Sequence, residues 1–172
     1  KHWADLGERS SFDLDWLEDD TPAILLMEVS AASEAEARTA LEDSLAALWE
    51  EHGLTSGIVA SSLNQAHRFW ALREDGDFMY RHFPAAPSFD VSVPPGALDA
   101  YVEGLRARLK AIDARFDAYV YGHIADGNLH ISVIGADVTA ASVKAPIEDA
   151  VYTGVAEAGG SFSAEHGVGT EK

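Results

Sequence analysis

Two short stretches carry most of the side chains in this chain that could do chemistry. In the first, Tyr121-Gly-His-Ile-Ala-Asp-Gly-Asn-Leu-His130, two histidines bracket a turn. In the second, Ser163-Ala-Glu-His-Gly-Val-Gly169, a carboxylate and a third imidazole sit beside glycines. Two imidazoles and one carboxylate form a donor set for Zn²⁺, Fe²⁺ or Mn²⁺ that leaves coordination positions open, and residue type alone does not choose among the three. Asp126-Gly127 is a favoured tight-turn dipeptide. It places His123 on an outgoing strand and His130 on the returning one. Directly opposed side chains in an antiparallel pair have Cβ atoms about 4.5–5.5 Å apart, close enough for both rings to reach one ion at about 2.0–2.1 Å. Asn128 shares a face with His130 by strand alternation. Glu165 is the carboxylate that must arrive from elsewhere. His166, beside it, is the candidate base, since an ordinary imidazole pKa near 6.5 suits proton abstraction at neutral pH. Gly167 and Gly169 allow a sharp turn and close backbone approach. Either hairpin histidine taken singly reads as a hydrogen-bonded half-buried residue or a surface residue; the pair together with Glu165-His166 reads as a site.

The elements that must position these residues follow from periodicity. Residues 1–22 form an acidic lead-in segment that packs through Phe12, Leu14, Trp16 and Leu17, with Asp13 to Asp20 solvated. A domain is expected over 23–172. The apolar run Ala23–Val29 predicts a strand. Ser33 with Glu36 forms a capping-box pair, opening a helix whose Leu41, Leu45, Leu48 and Trp49 share a face and which Gly53 ends. Gly57–Ala60 predicts a second strand, Asn64–Asp75 a helix, and Gly76–Pro87 a loop holding Arg81 and His82. Ser88–Val93 alternates as a strand. Pro94-Pro95-Gly96 opens a helix with Leu98, Tyr101, Val102, Leu105 and Leu109 on one side. Phe116–Tyr121 and Leu129–Ile134 form a hairpin. A helix carrying Val143, Ile147, Val151 and Val155 runs to Gly159-Gly160, and Ser161–Ala164 is a final strand. This order predicts an α+β domain, with helices on one face of a largely antiparallel sheet and ferredoxin-like βαβ units. Trp49, Trp70 and Tyr101 fit core stripes. His67, Arg81 and His82 read as exposed, as do His2 and His52. Arg73, near a helix end, reads equally as a dipole partner or as a bidentate partner for a substrate carboxylate.

Composition narrows the classes. The 172 residues are 47% apolar, enough for a core, and carry a formal charge of −17. That charge argues against a nucleic-acid partner and against an anionic membrane surface, both of which need clustered Lys and Arg. The chain has no cysteine, so thiolate ligands and disulfides are excluded. This is consistent with a reducing compartment such as the cytoplasm, and a peripheral membrane association is left open. No stretch approaches the roughly 20 apolar residues of a membrane helix.

Gly122-His-Ile-Ala-Asp-Gly-Asn-Leu-His130 and Ser163-Ala-Glu-His-Gly-Val-Gly169 resemble the two signature segments of FAD-linked oxidases, in the C-terminal cap domain of the vanillyl-alcohol-oxidase type. D-lactate dehydrogenases, the glycolate oxidase subunit and D-2-hydroxyglutarate dehydrogenases belong to that family. Trp70-Ala-Leu-Arg-Glu74 resembles a third, weaker segment, and the element order is similar from about Ala23 onward. The resemblance implies His123, His130 and Glu165 as ligands of a divalent metal and His166 as the base. It further implies that Arg73 and Asn128 hold a small 2-hydroxy acid, that FAD is held chiefly by a separate domain, and that an electron acceptor reoxidises the flavin. A homodimer is among the oligomeric states it leaves open. The chain departs from the family in having no phosphate-cradling Gly-rich loop and no tail beyond the second motif. It is therefore expected to be a fragment of a longer protein, inactive alone. Ser88 stands where the D-2-hydroxyglutarate enzymes carry Lys, which argues against a dicarboxylate substrate unless Arg81 substitutes. Two rivals remain on residue chemistry: a His₂-carboxylate metallohydrolase, and a non-enzymatic α+β ligand-binding domain.

Overall fold

The computed structural model describes residues 25–53, 57–74 and 78–165. The chain forms two compact units, Lys1–Gly76 and Asp77–Lys172.

The described part of the first unit is helical. Helix α1 spans Glu34–His52. Its first turn is capped as the sequence predicts, with the Glu36 N–H donating to Ser33 Oγ at 3.3 Å. Gly53 ends it in the left-handed region (φ 63°), its N–H donating to the Trp49 carbonyl at 3.1 Å. Leu41, Leu45 and Leu48 form a half-buried stripe, but Trp49 is 48% exposed rather than core. Helix α2 spans Leu63–Glu74. Trp70, also expected in the core, is half-buried and donates its indole N–H to the Glu28 carboxylate. Among the described residues the two strands expected in this region do not form: residues 25–29 and 57–60 are irregular. A short apolar run becomes a strand only where a neighbour completes its backbone hydrogen bonds. No described residue of this unit supplies that neighbour, and Leu25 and Ile58 are exposed.

The second unit holds the sheet. Its first element is a short helix, α3, over Phe78–His82, where a loop was expected; Pro84 and Pro87 follow the helix and do not interrupt it. Strand β1 covers Ser88–Ser92. A 3-10 turn over Pro95–Ala97 leads into α4, Leu98–Ile112. Strand β2 (Asp117–His123) and strand β3 (Asn128–Ile134) form the predicted hairpin, and α5 spans Ala141–Tyr152. The strands are antiparallel in the order β1-β3-β2.

The α+β class is as expected. The alternating residues Phe89, Val91, Ala118, Val120, Leu129, Ile131 and Val133 turn one sheet face toward Leu98, Tyr101, Leu105 and Leu109 of α4 and Ile147, Ala150 and Val151 of α5 in one apolar core. Tyr101 is core as predicted. Its hydroxyl donates to the Val151 carbonyl at 2.6 Å, tying α4 to α5.

Two boundaries differ from expectation. Helix α5 stops at Tyr152, because Gly154 takes a left-handed φ of 86°. Val155 still reaches the core, at 3% exposure, from the turn beyond, which is why it continued the helical stripe in the sequence. The final strand is reduced to one antiparallel bridge, Ser92↔Ser161. With that bridge beside β1, the second unit follows a β-α-β-β-α-β path whose fourth strand is vestigial.

Candidate metal centre

Strand alternation puts Asp90, Tyr121, His123, Asn128, His130 and Ser132 on the sheet face opposite the apolar core, as the register pairs Asp90↔His130, Tyr121↔His130 and His123↔Asn128 show. His123 and His130 are therefore diagonal neighbours, not directly opposed as the hairpin spacing suggested. The turn accounts for the offset. A 3-10 turn over Ile124–Asp126 occupies the tip, and Gly127 closes it at φ 69°. A Cβ on Gly127 would lie 2.0 Å from the Val93 carbonyl oxygen, while the Gly127 carbonyl accepts the Val93 N–H at 3.0 Å. Gly127 thus serves both the left-handed turn and a close backbone contact that only glycine allows.

Diagonal placement still brings the rings together. Their centroids are 6.2 Å apart at 81°, and Tyr121 lies 5.4 Å from the His130 ring. Glu165 reaches both from the end of the last bridged segment: Oε1 is 3.9 Å from His123 Nε2, and Oε2 is 3.9 Å from His130 Nε2. One donor atom from each of His123, His130 and Glu165 falls within 4.8 Å of the others. Around a tetrahedral ion with bonds of about 2.0–2.2 Å, ligand atoms stand about 3.3–3.6 Å apart. The widest separation needs to contract by about 1.2–1.5 Å, a movement open to side chains that are about half exposed at His123 and Glu165. The donor set fits a divalent ion, and the exposed side leaves room for a further ligand.

The polar atoms around the cluster are unusual. Asn128 is 3% exposed, yet neither its Oδ1 nor its Nδ2 has a hydrogen-bond partner among the described residues. A buried amide left unpaired costs about 1–3 kcal/mol, and this one stands opposite His123 in the β2–β3 register. Asp90, which the sequence reading passed over, is also 3% exposed. Its Oδ2 accepts the N–H groups of Ala164 at 2.9 Å and Glu165 at 2.8 Å, and its Oδ1 lies 3.9 Å from His130 Nδ1. The signal was present in Ser88-Phe-Asp-Val-Ser92: a carboxylate in the middle of a strand whose alternate residues are core.

The remaining candidates fall elsewhere. Arg73 stands exposed in the last turn of α2, in the first unit. Arg81 ends α3 and is exposed. Ser88 places its hydroxyl 3.2 Å from Ser132 Oγ on the same face as Asp90. His166, Gly167 and Gly169 lie outside the described residues. No helix among the described residues is long and apolar enough to cross a membrane.

Comparison with known proteins agrees with this arrangement of motifs. The family model described as FAD linked oxidases, C-terminal domain, matches residues 1–172, and the chain belongs to that family. It is similar to a mitochondrial D-2-hydroxyglutarate dehydrogenase of Arabidopsis thaliana, 32% identical over 148 residues, covering 86% of this chain and 26% of the relative. A D-2-hydroxyglutarate dehydrogenase of Xanthomonas citri pv. viticola is 33% identical over 156 residues, covering 88% of this chain and 32% of the relative. The mitochondrial enzyme of Rattus norvegicus is 32% identical over 154 residues, covering 89% and 28%. The chain thus spans only about a third or less of the length of these relatives.

Proposed function

We propose that this chain is the substrate-binding part of an FAD-dependent D-2-hydroxyacid dehydrogenase, and that His123, His130 and Glu165 hold a divalent metal in it. The observation that carries the metal reading is the convergence of three donor atoms within 4.8 Å, from two strands and a separate segment, beside the buried unpaired Asn128 amide. A metal held by His123, His130 and Glu165 would supply Lewis acidity toward a substrate hydroxyl, and FAD would supply the hydride-accepting chemistry.

This chain's own residues do the rest. Asn128 orients the substrate by offering an acceptor and donors that nothing else in the described residues uses. A bidentate contact from Arg73 to the substrate carboxylate is what the family resemblance implies. His166 takes the proton from the 2-hydroxyl group. The substrate is a small D-2-hydroxy acid. The relatives are named for hydroxyglutarate, a dicarboxylate. Ser88 and Ser132 put neutral hydroxyls on the site's own sheet face, where they can donate to a second polar group but supply no charge; Arg81 is the candidate cation for a distal carboxylate.

The test uses the full-length protein. Metal content and the reduction of an artificial electron acceptor are measured with D-lactate, D-2-hydroxyglutarate and their L-enantiomers. The expected result is stoichiometric divalent metal, bleaching of the flavin spectrum by D-substrates only, and loss of both in His123→Ala. Ester or peptide hydrolysis without flavin reduction would instead support a metallohydrolase.

A further inference from the structure

We propose that Asp90 is a positioning residue that assembles the His130–Glu165 half of the metal centre. This rests on the reading of the cluster as a metal site. The last segment of the unit is joined to β1 at one point: Ser92 and Ser161 exchange both backbone hydrogen bonds, at 2.8 and 2.9 Å. Beyond that bridge the ladder stops, and the next backbone donors need another partner. Asp90, two residues back along β1, takes that place, with Oδ2 accepting from both Ala164 and Glu165. Charge-assisted bonds from two successive amides fix the backbone from which the Glu165 side chain departs.

The same carboxylate has a second oxygen aimed elsewhere. Oδ1 lies 3.9 Å from Nδ1 of His130, the residue opposite Asp90 in the β1–β3 register. The other ring nitrogen, Nε2, faces Glu165 Oε2. A carboxylate bonded to Nδ1 would hold the ring proton on that side and leave the Nε2 lone pair for an ion, the arrangement that orients metal-binding histidines generally. Asp90 thus bonds the Glu165 backbone through Oδ2 and faces His130 with Oδ1. Its burial to 3% exposure keeps water from competing for either contact.

The experiment compares wild type, Asp90→Ala and Asp90→Asn in the full-length protein. Hydrogen exchange of the Ala164 and Glu165 amides is read in the metal-free state. Zn²⁺ affinity is read by competition with a chromophoric chelator, and the His130 tautomer from its ¹⁵N imidazole shifts. Asp90→Ala is expected to speed exchange at both amides at least about tenfold and to weaken Zn²⁺ binding about 10–100-fold. Asp90→Asn keeps an oxygen for the amides, so their exchange stays near wild type. Its amide nitrogen donates to Nδ1, moves the ring proton to Nε2 and lowers Zn²⁺ affinity within the same range. Unchanged exchange in Asp90→Ala overturns the anchoring role whatever the metal result. Equal Zn²⁺ affinity in all three proteins overturns the orienting role. Failure of the wild type to bind Zn²⁺, Fe²⁺ or Mn²⁺ overturns the underlying metal reading and leaves the exchange result to stand by itself.

Discussion

The two faces of the three-stranded sheet are one residue apart in every strand, and they solve opposite problems. On one face Val91, Ile131 and Val133 are 0% exposed among the side chains of α4 and α5. On the other, Asp90, Asn128 and Ser132 are buried nearly as deeply, at 3%, 3% and 2%. Burial does not separate the faces; partners do. The apolar face removes hydrocarbon from water, and its strand side chains carry no polar group that needs a partner. The polar face buries a carboxylate against two amides and an imidazole, and an amide with no partner among the described residues at all. Apolar residues of similar size would generally be more stable there. A local choice that costs stability in a fold otherwise consistent at every level is where a function is expected.

The comparison breaks most visibly from the apolar side. Ile131→Ala removes a fully buried side chain at the centre of the core and should cost about 2–5 kcal/mol. Urea denaturation should show the loss, with Zn²⁺ affinity of the still-folded fraction near wild type, since the residue faces away from His130. A loss below 1 kcal/mol would mean that the two faces are not divided as described.

The same core should respond to alkali. Burial pushes the Tyr101 hydroxyl up to about 12, against a smaller opposing effect of Arg108. Between pH 10 and 12 the unfolded chain ionises this tyrosine and the folded one does not. The unfolded state then binds fewer protons and stability falls as pH rises, by at most about 2–3 kcal/mol for a two-unit difference. The stabilisation is intact below pH 10. Tyr101→Phe should flatten the slope in that window while lowering stability at pH 7 by about 1 kcal/mol, through loss of the bond to Val151. An unchanged slope would place the alkaline transition elsewhere.

What was legible in the sequence follows the same division. Elements whose register is set within a short stretch were readable: the α4 stripe, the hairpin, and the Ser33 and Gly53 caps. Strands that need a distant neighbour were not, because the apolar run at residues 25–29 does not say whether a ladder partner exists, and Ser161–Ala164 keeps only one bridge. The clustering of His123, His130 and Glu165 was legible as a set, since His, His and Glu in glycine-rich surroundings is a chemical pattern. Their diagonal geometry was hidden in a 3-10 turn longer than a two-residue hairpin loop. Asp90 was missed because its partners lie 74 and 75 residues away along the chain.

From the polar side, effects on stability should be small and effects on binding large. Asn128→Leu replaces the unpaired buried amide with a group of similar size that needs no partner. Unfolding free energy should rise or stay within about 1 kcal/mol of wild type. Substrate affinity should fall at least about tenfold, the equivalent of about 1.4 kcal/mol. A destabilisation of several kcal/mol with binding intact would make Asn128 a structural residue and remove it from the site.

The smallest stability change is expected at His123. Its ring is about half exposed, meets Glu165 only at 3.9 Å, and touches His130 edge-on. Surface substitutions away from special features change stability by about 0.5 kcal/mol or less, so metal-free His123→Ala should unfold at nearly the same urea concentration as metal-free wild type. With Zn²⁺ at about 100 times the dissociation constant, wild type should gain about 2.7 kcal/mol by linkage, and His123→Ala should gain almost none. The contrast between the two conditions is what separates a ligand from a packing residue: a core variant lowers both curves together, whereas a ligand variant removes only the metal-dependent gain. Equal Zn²⁺-dependent stabilisation in both proteins would detach His123 from the centre and leave His130, Glu165 and Asp90 to be explained as a buried polar cluster without an ion.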